Sequence, residues 1–459
     1  MEYRTDHDSL GDVQVPGNAY WGAQAQRAVE NFPISNLKLQ PAFIRAQAII
    51  KRACAKANVD LGELDGALGG AIVQAAEEVM EGRWDDQFVV DVYQAGAGTS
   101  QNMNANEVIA NRATEILGGQ RGDYSKIHPN DHVNRGQSTN DTIPTSIHVS
   151  ALEEITHRLI PALTRLQRGL KQKANEFDHI VKSGRTHLQD AVPMRLGQEF
   201  GAYARMIELG IERVRTNAEE LKELAIGGNA IGTGINTPEG YKEKTVDYIN
   251  EATDLGFQPA EDPFEAIQNR DAAVHVSGAL RTVAISLTKI ADDFRLLSSG
   301  PKTGLREISL PAVQPGSSIM PGKVNPVLAE MLDMVAFGAM GCDHVVARAG
   351  QGGQLELNVM MPVMGYYLLH EIEILSNGAQ AFNEKCVQGV TANAEVCQNY
   401  AESTPQVVTA LSPYIGYEKA AEVLKKALDA DKSIRQVVLE EGLLPEEQLN
   451  EAMDLKRLT

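Results

Sequence analysis

The residues best able to do chemistry stand in the segment GSSIMPGKVNP, at positions 316–326. Two adjacent serines, Ser317 and Ser318, lie between glycines and prolines, and Lys323 and Asn325 follow closely. A Gly-Ser segment is often a plain flexible linker. A lysine beside hydroxyl and amide groups can instead clamp a carboxylate, because it adds positive charge to hydrogen-bond donors. The segment therefore predicts either a linker or an anion-binding loop.

Three further polar segments interrupt the helical periodicity of the chain. They are QAGAGTSQNMNANEVIAN at 94–111, HPNDHVNRGQSTND at 128–141 and SGRTHLQDAVP at 183–193. Each lies at a predicted helix start or in a glycine-containing turn, where main-chain N–H groups can bind an anion. The candidate donors are Thr99, Ser100, Ser138, Thr139, Asn140, Thr186, Ser317, Ser318 and Asn325. Any one of them taken alone is better explained as a helix N-cap, so only the four segments together predict a dicarboxylate site.

His187 is the histidine best placed for general acid–base chemistry. Arg185, Thr186 and Gln189 surround it in a segment that breaks the helical periodicity. Imidazole titrates near neutral pH, so a positioned histidine can both give and take a proton. Three other histidines, in polar or helical surroundings, are interpreted as structural or solvated: His7, His157 and His179.

The elements that position these segments are predicted to be long helices. From Ile147 to Ile180, apolar residues recur at steps of mostly three and four, which predicts one helix of unusual length. Similar patterns, broken by Gly or Pro, run over 196–225, 264–297, 327–346 and 360–382. Helices of about thirty residues span about 45 Å, more than a compact monomer needs. We therefore expect a helical bundle that associates with other copies of the chain.

The two ends of the chain differ from this middle part. The first forty residues are rich in Gly, Pro and Asn, which predicts extended or irregular structure until a helix begins near Pro41. After about residue 395 the patterns AAEVLKKALDA, SIRQVVLEEG and LPEEQLNEAM predict short helices. We expect an all-α fold in three domains: an N-terminal domain at 1–138, a central long-helix bundle at 139–395 and a small C-terminal helical domain at 396–459.

Composition excludes several other functions. The 61 acidic and 42 basic residues give a formal charge of -19, which disfavours nucleic acid and anionic membrane surfaces as partners. The polar N-terminal region and the lack of a long apolar run predict a cytoplasmic protein. The cysteines show no ligand spacing and are predicted to be buried free thiols, with no metal site: Cys54, Cys342, Cys386 and Cys397.

Taken together, the four polar segments resemble the conserved regions of the fumarase/aspartase superfamily, in the same order. GSSIMPGKVNP is similar to that superfamily's signature, and GAGTSxNMNxNEV, HPNDHVNxxQSTND and GRTHLQDAVP are similar to its other conserved regions. The resemblance covers essentially the whole chain, from 20–35 to 415–428. It implies three helical domains and a homotetramer whose active sites are each assembled from three subunits. It also implies proton removal next to a carboxylate to give fumarate, without a metal or organic cofactor.

The resemblance also implies a role for each candidate residue. Ser317 would be the catalytic base, reactive as an alkoxide because N–H groups of its own loop stabilise it. His187 would protonate the leaving hydroxyl through a water, oriented by Glu330, while Lys323 and Asn325 would bind a substrate carboxylate. The other implied substrate-binding residues are Thr99, Ser100, Ser138, Thr139, Asn140, Thr186 and Ser318. A second, peripheral dicarboxylate site is implied at His128, Asn130 and Asp131.

Finer features divide between two members of the superfamily. WGAQAQR, HPND, ELAIGG and the PGSSIMPGKVNP form favour a class II fumarate hydratase of the tricarboxylic acid cycle, which interconverts fumarate and (S)-malate. Ala97, Thr139 and the segment GQLELNVMMP favour an aspartate ammonia-lyase. We expect the hydratase and keep the ammonia-lyase as the alternative. A catalytically silent structural relative is a remote third interpretation, because it predicts the loss of Ser317, His187 or Lys323, and all are present.

Overall fold

The chain is built mainly from helices. A computed structural model describes residues 2–455 and 457–459 of the 459-residue sequence. Its α-helices are α1 (Ala23–Asn31), α2 (Pro41–Asp60), α3 (Gly66–Met80), α4 (Thr99–Ile116), α5 (Thr139–Glu154), α6 (Ile160–Glu176), α7 (Leu196–Ala218), α8 (Tyr241–Thr253), α9 (Pro263–Gln268), α10 (Asp271–Leu297), α11 (Val327–Gln351), α12 (Met361–Lys385), α13 (Ala394–Ser403), α14 (Ser412–Ile415), α15 (Tyr417–Asp429), α16 (Ile434–Glu440) and α17 (Glu446–Ala452). This architecture confirms the all-α prediction, including the short helices after residue 395.

Short strands pair as four two-stranded sheets within the described residues. The strands are β1 (Tyr3–Asp8), β2 (Gly11–Pro16), β3 (Val181–Thr186), β4 (Gln189–Arg195), β5 (Glu223–Leu224), β6 (Gln258–Pro259), β7 (Ile308–Ser309) and β8 (Thr391–Ala392). The pairs β1–β2, β3–β4 and β7–β8 are antiparallel, and β5–β6 is parallel. The first pair agrees with the extended structure predicted near the N-terminus.

The chain divides into two compact units. The first comprises Met1–Pro161, Gly210–Ala284 and Val335–Ser376, and the second comprises Ala162–Leu209, Ile285–Met334 and Asn377–Thr459. Each division falls inside one of the long helices α6, α7, α10, α11 and α12. The three-domain division stays a prediction.

Helices α2, α3 and α4 form a core of the first unit. Helix α2 begins at Pro41, as predicted, because proline lacks the N–H that a first turn leaves unpaired and its φ already suits a helix. The buried faces of the three helices bring together Ile44, Ile72, Val108 and Ile109. This core fixes α4, whose first residues belong to one of the polar segments.

A row of packed aromatic rings forms a core of the second unit. The ring centroids of Phe177 and Phe200 lie 5.2 Å apart, those of Phe200 and Phe294 lie 5.4 Å apart, and those of Phe294 and Phe382 lie 5.2 Å apart. These contacts join the end of α6 to α7, α10 and α12. Edge-to-face and tilted pairs at such distances add to the stabilisation from burial alone.

Two of the predicted long helices are interrupted. The pattern from Ile147 to Ile180 is divided by a π turn, Ile155–Leu159, just before Pro161, which has no N–H for the helical hydrogen-bond ladder. The pattern over 264–297 breaks between α9 and α10, where Asn269 is extended and its Oδ1 accepts the Arg270 N–H. A side chain that bonds its neighbouring main chain competes with the helix.

Three further observations concern the cysteines, membrane-spanning helices and possible metal ligands. All four cysteines are buried and free, as predicted. Within the described residues, no helix is both long and apolar enough to cross a membrane. The same residues contain no group of three or more His, Cys, Asp or Glu side chains that could hold a metal ion.

Helix α1 was not predicted, because its cap comes from a distant part of the sequence. Its N-cap residue, Gly22, has no side chain to satisfy the first N–H groups. Glu107, in α4, takes this role: it accepts from the N–H groups of Gly22 at 2.8 Å, Gln24 at 2.8 Å and Ala25 at 3.1 Å. Local sequence patterns cannot reveal a cap that lies more than eighty residues away.

The Glu107→Gln variant is expected to lower the thermal unfolding midpoint. Glutamine offers one acceptor oxygen where both carboxylate oxygens are used, so a buried N–H loses its partner at a cost of about 1–3 kcal/mol. Differential scanning calorimetry measures the effect. The Glu30→Gln variant, which removes an exposed carboxylate from α1 itself, is the matched control and should leave the midpoint nearly unchanged. Equal midpoints for the two variants would contradict the capping role.

Candidate active site

The first polar segment forms the N-terminal end of helix α4. A 3-10 turn at Gly96–Gly98 precedes Thr99, the first residue of the helix. Ala97 and Gly98 both have left-handed backbone, with φ of 62° and 82°. Thr99 is exposed, whereas Ser100 is buried. Thr99 therefore lies at the solvent-accessible N-terminus of an 18-residue helix, where the helix dipole favours an anion.

The second polar segment forms the N-terminal end of helix α5. Ser138 is the N-cap: its Oγ accepts from the Asn140 N–H at 3.2 Å, and Asp141 Oδ1 accepts from the Ser138 N–H at 2.9 Å. Asn140 Nδ2 donates to the Ala230 carbonyl oxygen at 2.8 Å. The N-cap interpretation is therefore correct for Ser138. Ser138, Thr139 and Asn140 are all half-buried at the start of the helix, where an anion is again favoured.

These first two segments meet inside the first unit. Asn102, in α4, donates through Nδ2 to Thr139 Oγ1 at 3.2 Å. A Cβ added to Gly98 would lie 3.1 Å from Ile143 Cγ1, so the turn before α4 packs against α5. The starts of both helices, with Thr99 and Thr139, thus belong to one region of the molecule. Two adjacent helix N-termini can bind a carboxylate without any lysine or arginine.

The predicted peripheral site lies on a π turn, Pro129–Val133. His128 Nδ1 accepts from the N–H groups of Asn130 and Asp131, each at 3.2 Å, which leaves Nε2 as the protonated nitrogen of the neutral ring. His128 is half-buried, and Asn130 and Asp131 are exposed. Asn130 Nδ2 also contacts the Met103 sulfur at 3.9 Å. The three predicted residues are therefore adjacent, with one ring nitrogen available to donate outward.

The third polar segment is a β-hairpin in the second unit. His187 and Leu188 form its tight turn, with φ of 57° and 58°, and both are exposed. Thr186 is the last residue of β3 and pairs with Gln189, the first residue of β4. Hairpin turns in which both central residues have positive φ match the twist of the strands. The turn therefore leaves His187 exposed, next in sequence to the exposed Thr186.

A buried ion network supports this hairpin from below. Glu307, which is 0% exposed, pairs with Arg185 at 2.8 Å and with Lys182 at 2.7 Å, and Lys182 also pairs with Glu199 at 2.7 Å. Burial alone would lower the pKa of Lys182, but the two carboxylates raise it above its ordinary value. Strand β3 is thus anchored at Arg185 and at Lys182, two and five residues before His187.

The fourth polar segment is an exposed loop closed at its base. The Gly316 N–H donates to the Lys323 carbonyl oxygen at 2.9 Å, and Asn325 Nδ2 donates to the Gly316 carbonyl oxygen at 2.6 Å. Inside the loop, Ser317 Oγ accepts from the N–H groups of Ile319 at 3.3 Å and Met320 at 3.0 Å. Two main-chain donors on one hydroxyl oxygen stabilise negative charge on that oxygen. The loop is therefore not a plain linker.

Around the same loop, Ser318 and Lys323 are exposed, whereas Asn325 is half-buried because its amide holds the base of the loop. Glu330 is half-buried in the first turn of α11. A cavity of about 520 Å³ lies against the loop and is lined by residues that include Ser317 and Lys323. These two side chains therefore share one cavity.

Within the second unit, the hairpin turn and the loop are not directly bonded. No hydrogen bond or ion pair among the described residues joins His187 to Glu330, or His187 to the loop at 316–326. The carboxylate partner implied for His187 is therefore not supplied by such a bond inside one chain. The roles assigned to these residues stay predictions.

The sequence analysis missed the amide groups that hold Thr139. Asn102 contacts it directly, and Asn134 and Gln137 lie behind Asn102 in the same hydrogen-bond network. The available signal was a set of four asparagines in α4, all of them buried, of which Asn102 and Asn106 stand one helical turn apart. Buried amides are expected to form hydrogen-bond networks, so such spacing in a core helix indicates a supporting role.

Comparisons with known proteins agree with this arrangement. The family model described as "Lyase" matches residues 11–341, and the model described as "Fumarase C C-terminus" matches residues 407–459. The chain is 52% identical to a class II fumarate hydratase of Corynebacterium efficiens, covering 100% of this chain and 96% of the relative. It is 47% identical to an aspartate ammonia-lyase of Bacillus subtilis, covering 98% of this chain and 94% of that relative.

A solved structure shows the same fold. The crystal structure of a class II fumarase from Schistosoma mansoni superimposes with a TM-score of 0.97 at 39% identity, covering 99% of this chain and 98% of that one. The family model spans more than half of the sequence, and the relatives align over almost its full length. The chain therefore belongs to the fumarase/aspartase superfamily of lyases.

Proposed function

We propose that this chain is a class II fumarate hydratase, which interconverts fumarate and (S)-malate. The observation that carries the chemistry is the Ser317 hydroxyl oxygen, which accepts two main-chain N–H groups in an exposed loop. A carbon next to an ionised carboxylate holds its proton tightly, so the base must be strong. Main-chain donors make a serine alkoxide accessible without a neighbouring carboxylate or histidine.

The reaction in the dehydration direction balances without an oxidant or reductant. Ser317 takes the proton from the carbon beside one carboxylate of malate, and the electron pair moves onto that carboxylate to give an aci-carboxylate. The C–O bond on the neighbouring carbon then breaks, and His187 supplies a proton through a water, so that the hydroxyl leaves as water. Glu330, provided by the assembled site, orients His187. Lys323 stabilises the doubly negative carboxylate, because that charge develops only as the proton leaves.

Two groups of donors bind the substrate carboxylates in this proposal. Lys323, Asn325 and Ser318 serve the carboxylate that gains charge. Other donors come from the first residues of α4 and α5 and from the hairpin. They bind the substrate carboxylates and are Thr99, Ser100, Ser138, Thr139, Asn140 and Thr186. His128, Asn130 and Asp131 form the peripheral dicarboxylate site. Neutral donors and helix N-termini suit a dianion in a protein of net charge -19.

Hydration is favoured over deamination by the level of similarity. Two class II fumarate hydratases are 51% and 52% identical to the chain, whereas two aspartate ammonia-lyases are 46% and 47% identical. The alternative, an aspartate ammonia-lyase, draws support from Ala97 and Thr139. Ala97 is a buried residue of the turn before α4, so its lack of a hydroxyl removes no exposed donor. The argument from Ala97 for the ammonia-lyase is therefore weak.

The proposal includes the setting of the enzyme. The chain acts as a cytoplasmic homotetramer in the tricarboxylic acid cycle, with its three-domain division at 1–138, 139–395 and 396–459 and with active sites shared among subunits. Support for the tetramer comes from large apolar side chains exposed on long helices, such as Met334 and Phe337 on α11, which are 66% and 59% exposed. Such side chains are expected to be covered by another copy.

A single assay tests the proposed reaction. Purified protein is mixed with fumarate, and the loss of fumarate absorbance is followed with and without ammonium, using the Ser317→Ala variant as the matched blank. Loss without ammonium, with malate as the product, is the expected result. Strict dependence on ammonium, with aspartate as the product, would reject hydration in favour of the ammonia-lyase. No loss under either condition would reject both.

A further inference from the structure

Lys51 is a fully buried lysine whose partners are all neutral. It lies in α2, and none of its surface is exposed. Its ammonium donates to Asn102 Oδ1 at 2.8 Å, Asn134 Oδ1 at 3.0 Å and Gln137 Oε1 at 2.9 Å, so all three protons are used. Lys182, another buried lysine, contacts two carboxylates instead. Burying a charge among neutral groups is costly, which indicates a role beyond packing.

The ammonium fixes the orientation of the Asn102 amide. An ammonium group has no acceptor, so only the amide oxygen can face it. The Nδ2 group must then point away, where it donates to Thr139 Oγ1 and to Asn134 Oδ1, each at 3.2 Å. The O and N ends of an amide are normally assigned from their hydrogen bonds, and here the lysine leaves one choice. Lys51 therefore determines which end of Asn102 meets Thr139.

This orientation determines what the Thr139 hydroxyl can do. A hydroxyl has one proton and two lone pairs, and Asn102 occupies a lone pair. Among the described residues, Thr139 Oγ1 donates no hydrogen bond, so its proton stays available. Thr139 is half-buried in the first turn of α5, where an anion is favoured. Its hydroxyl is thus prepared to donate to an anion.

Burial makes the Lys51 amine a weaker base than an exposed lysine. Burial lowers the pKa of Lys51 to about 8, and the neighbouring Cys54 and Asp141 oppose that shift. Asp141 is itself buried, where it accepts from the N–H groups of Ser138 at 2.9 Å and Asn229 at 2.8 Å. The ammonium, charged below that pKa, therefore lies two hydrogen bonds away from the Thr139 hydroxyl oxygen.

We propose that Lys51 is a positioning residue for the substrate: through Asn102 it holds the Thr139 hydroxyl as a hydrogen-bond donor to a carboxylate. The inference rests on the proposed function, in which Thr139 binds a substrate carboxylate. Without the ammonium, the Asn102 amide can turn over and present its oxygen to Thr139. The hydroxyl proton is then used inside the protein and is lost to the substrate.

A double-mutant cycle on dicarboxylate binding tests this proposal. Succinate, an unreactive four-carbon dicarboxylate, is titrated calorimetrically into the unaltered protein, Lys51→Met, Thr139→Val and the double variant. Each single change should raise the succinate Kd about ten- to hundredfold, as expected for one hydrogen bond to a charged group. Because both act through one hydroxyl, Lys51→Met should change Kd less than about twofold in the Thr139→Val background.

Two further variants separate this role from stability and from charge. Lys56→Met removes a lysine from the same helix, where the ammonium contacts Glu251 at 2.8 Å outside the amide network, and should leave Kd within about twofold. If Lys51→Met does not fold, the Asn102→Asp variant takes its place in the double-mutant cycle. A carboxylate still accepts from Lys51 but cannot donate, so it takes the Thr139 proton, and the same non-additive loss is expected.

Several outcomes would overturn the inference. They are an unchanged Kd for the variants at position 51 or 102, an equal loss in both backgrounds, and a Thr139→Val variant that binds succinate as the unaltered protein does. The cycle measures carboxylate binding whichever reaction follows. Failure of the proposed hydratase function is detected separately, by the fumarate assay on the unaltered protein.

Discussion

The Ser317→Ala variant is expected to lose fumarate turnover by about two to four orders of magnitude while keeping its fold. The hydroxyl oxygen accepts N–H groups of Ile319 and Met320 and lines the loop cavity together with Lys323. Removing the oxygen removes the proposed base and leaves the two donors to water. The loop is exposed, so the helices should not depend on it. Circular dichroism and gel filtration measure the fold and the assembly, and steady-state kinetics measures kcat.

Ser318→Ala is the matched control for this prediction. The two serines are adjacent, but the Ser318 side chain is exposed and its hydroxyl makes no hydrogen bond among the described residues. Because Ser318 is proposed only to bind substrate, Ser318→Ala should chiefly affect KM. Ser317→Ala removes the proposed base and should chiefly affect kcat. Near-normal kcat for Ser317→Ala would refute the base assignment. A larger loss of kcat for Ser318→Ala would transfer that role to its neighbour.

The helices could be predicted largely from the sequence because their signals are local. The start of α2 at Pro41 and the capping box of Ser138 and Asp141 were each encoded within a few residues. Where the helices differ from the sequence prediction, the cause is a single missing atom or a residue distant in the sequence. A missing N–H at Pro161 produced the π turn, and the carboxylate of Glu107 made α1 possible.

The candidate site was predictable as residue types but not as an arrangement. Four polar segments indicated donors for a dicarboxylate, and the structure joins two of them through Asn102 and Thr139. His187 was expected in an irregular segment, and it lies in a hairpin turn whose left-handed backbone no sequence period reveals. The neutral partners of Lys51 come from two other parts of the chain, so helical spacing in α2 could not indicate them.

The Gly316→Ala variant is expected to lose at least about a hundredfold in kcat, although residue 316 bears no functional group. A Cβ at this position would lie 2.3 Å from the Lys323 carbonyl oxygen and 2.8 Å from the Asn325 N atom. Both are main-chain atoms that cannot turn aside. The loop must therefore open at its base, where the Gly316–Lys323 bond of 2.9 Å and the Asn325–Gly316 bond of 2.6 Å close it.

Opening the base displaces Ser317, the next residue, relative to Lys323. A misplacement of about 1 Å is enough to cost about a hundredfold in rate. Ser317 must reach the substrate carbon while Lys323 contacts the neighbouring carboxylate of the same molecule. Gly322→Ala, in the same loop, is the graded control. Its added Cβ meets no atom within 4 Å, so only the φ of 79° opposes it, at a cost of about 1 kcal/mol. Steady-state kinetics should give Gly316→Ala a much lower kcat than Gly322→Ala. The two variants should unfold at similar temperatures. The reverse ranking would mean that closure of the loop base does not position the serine.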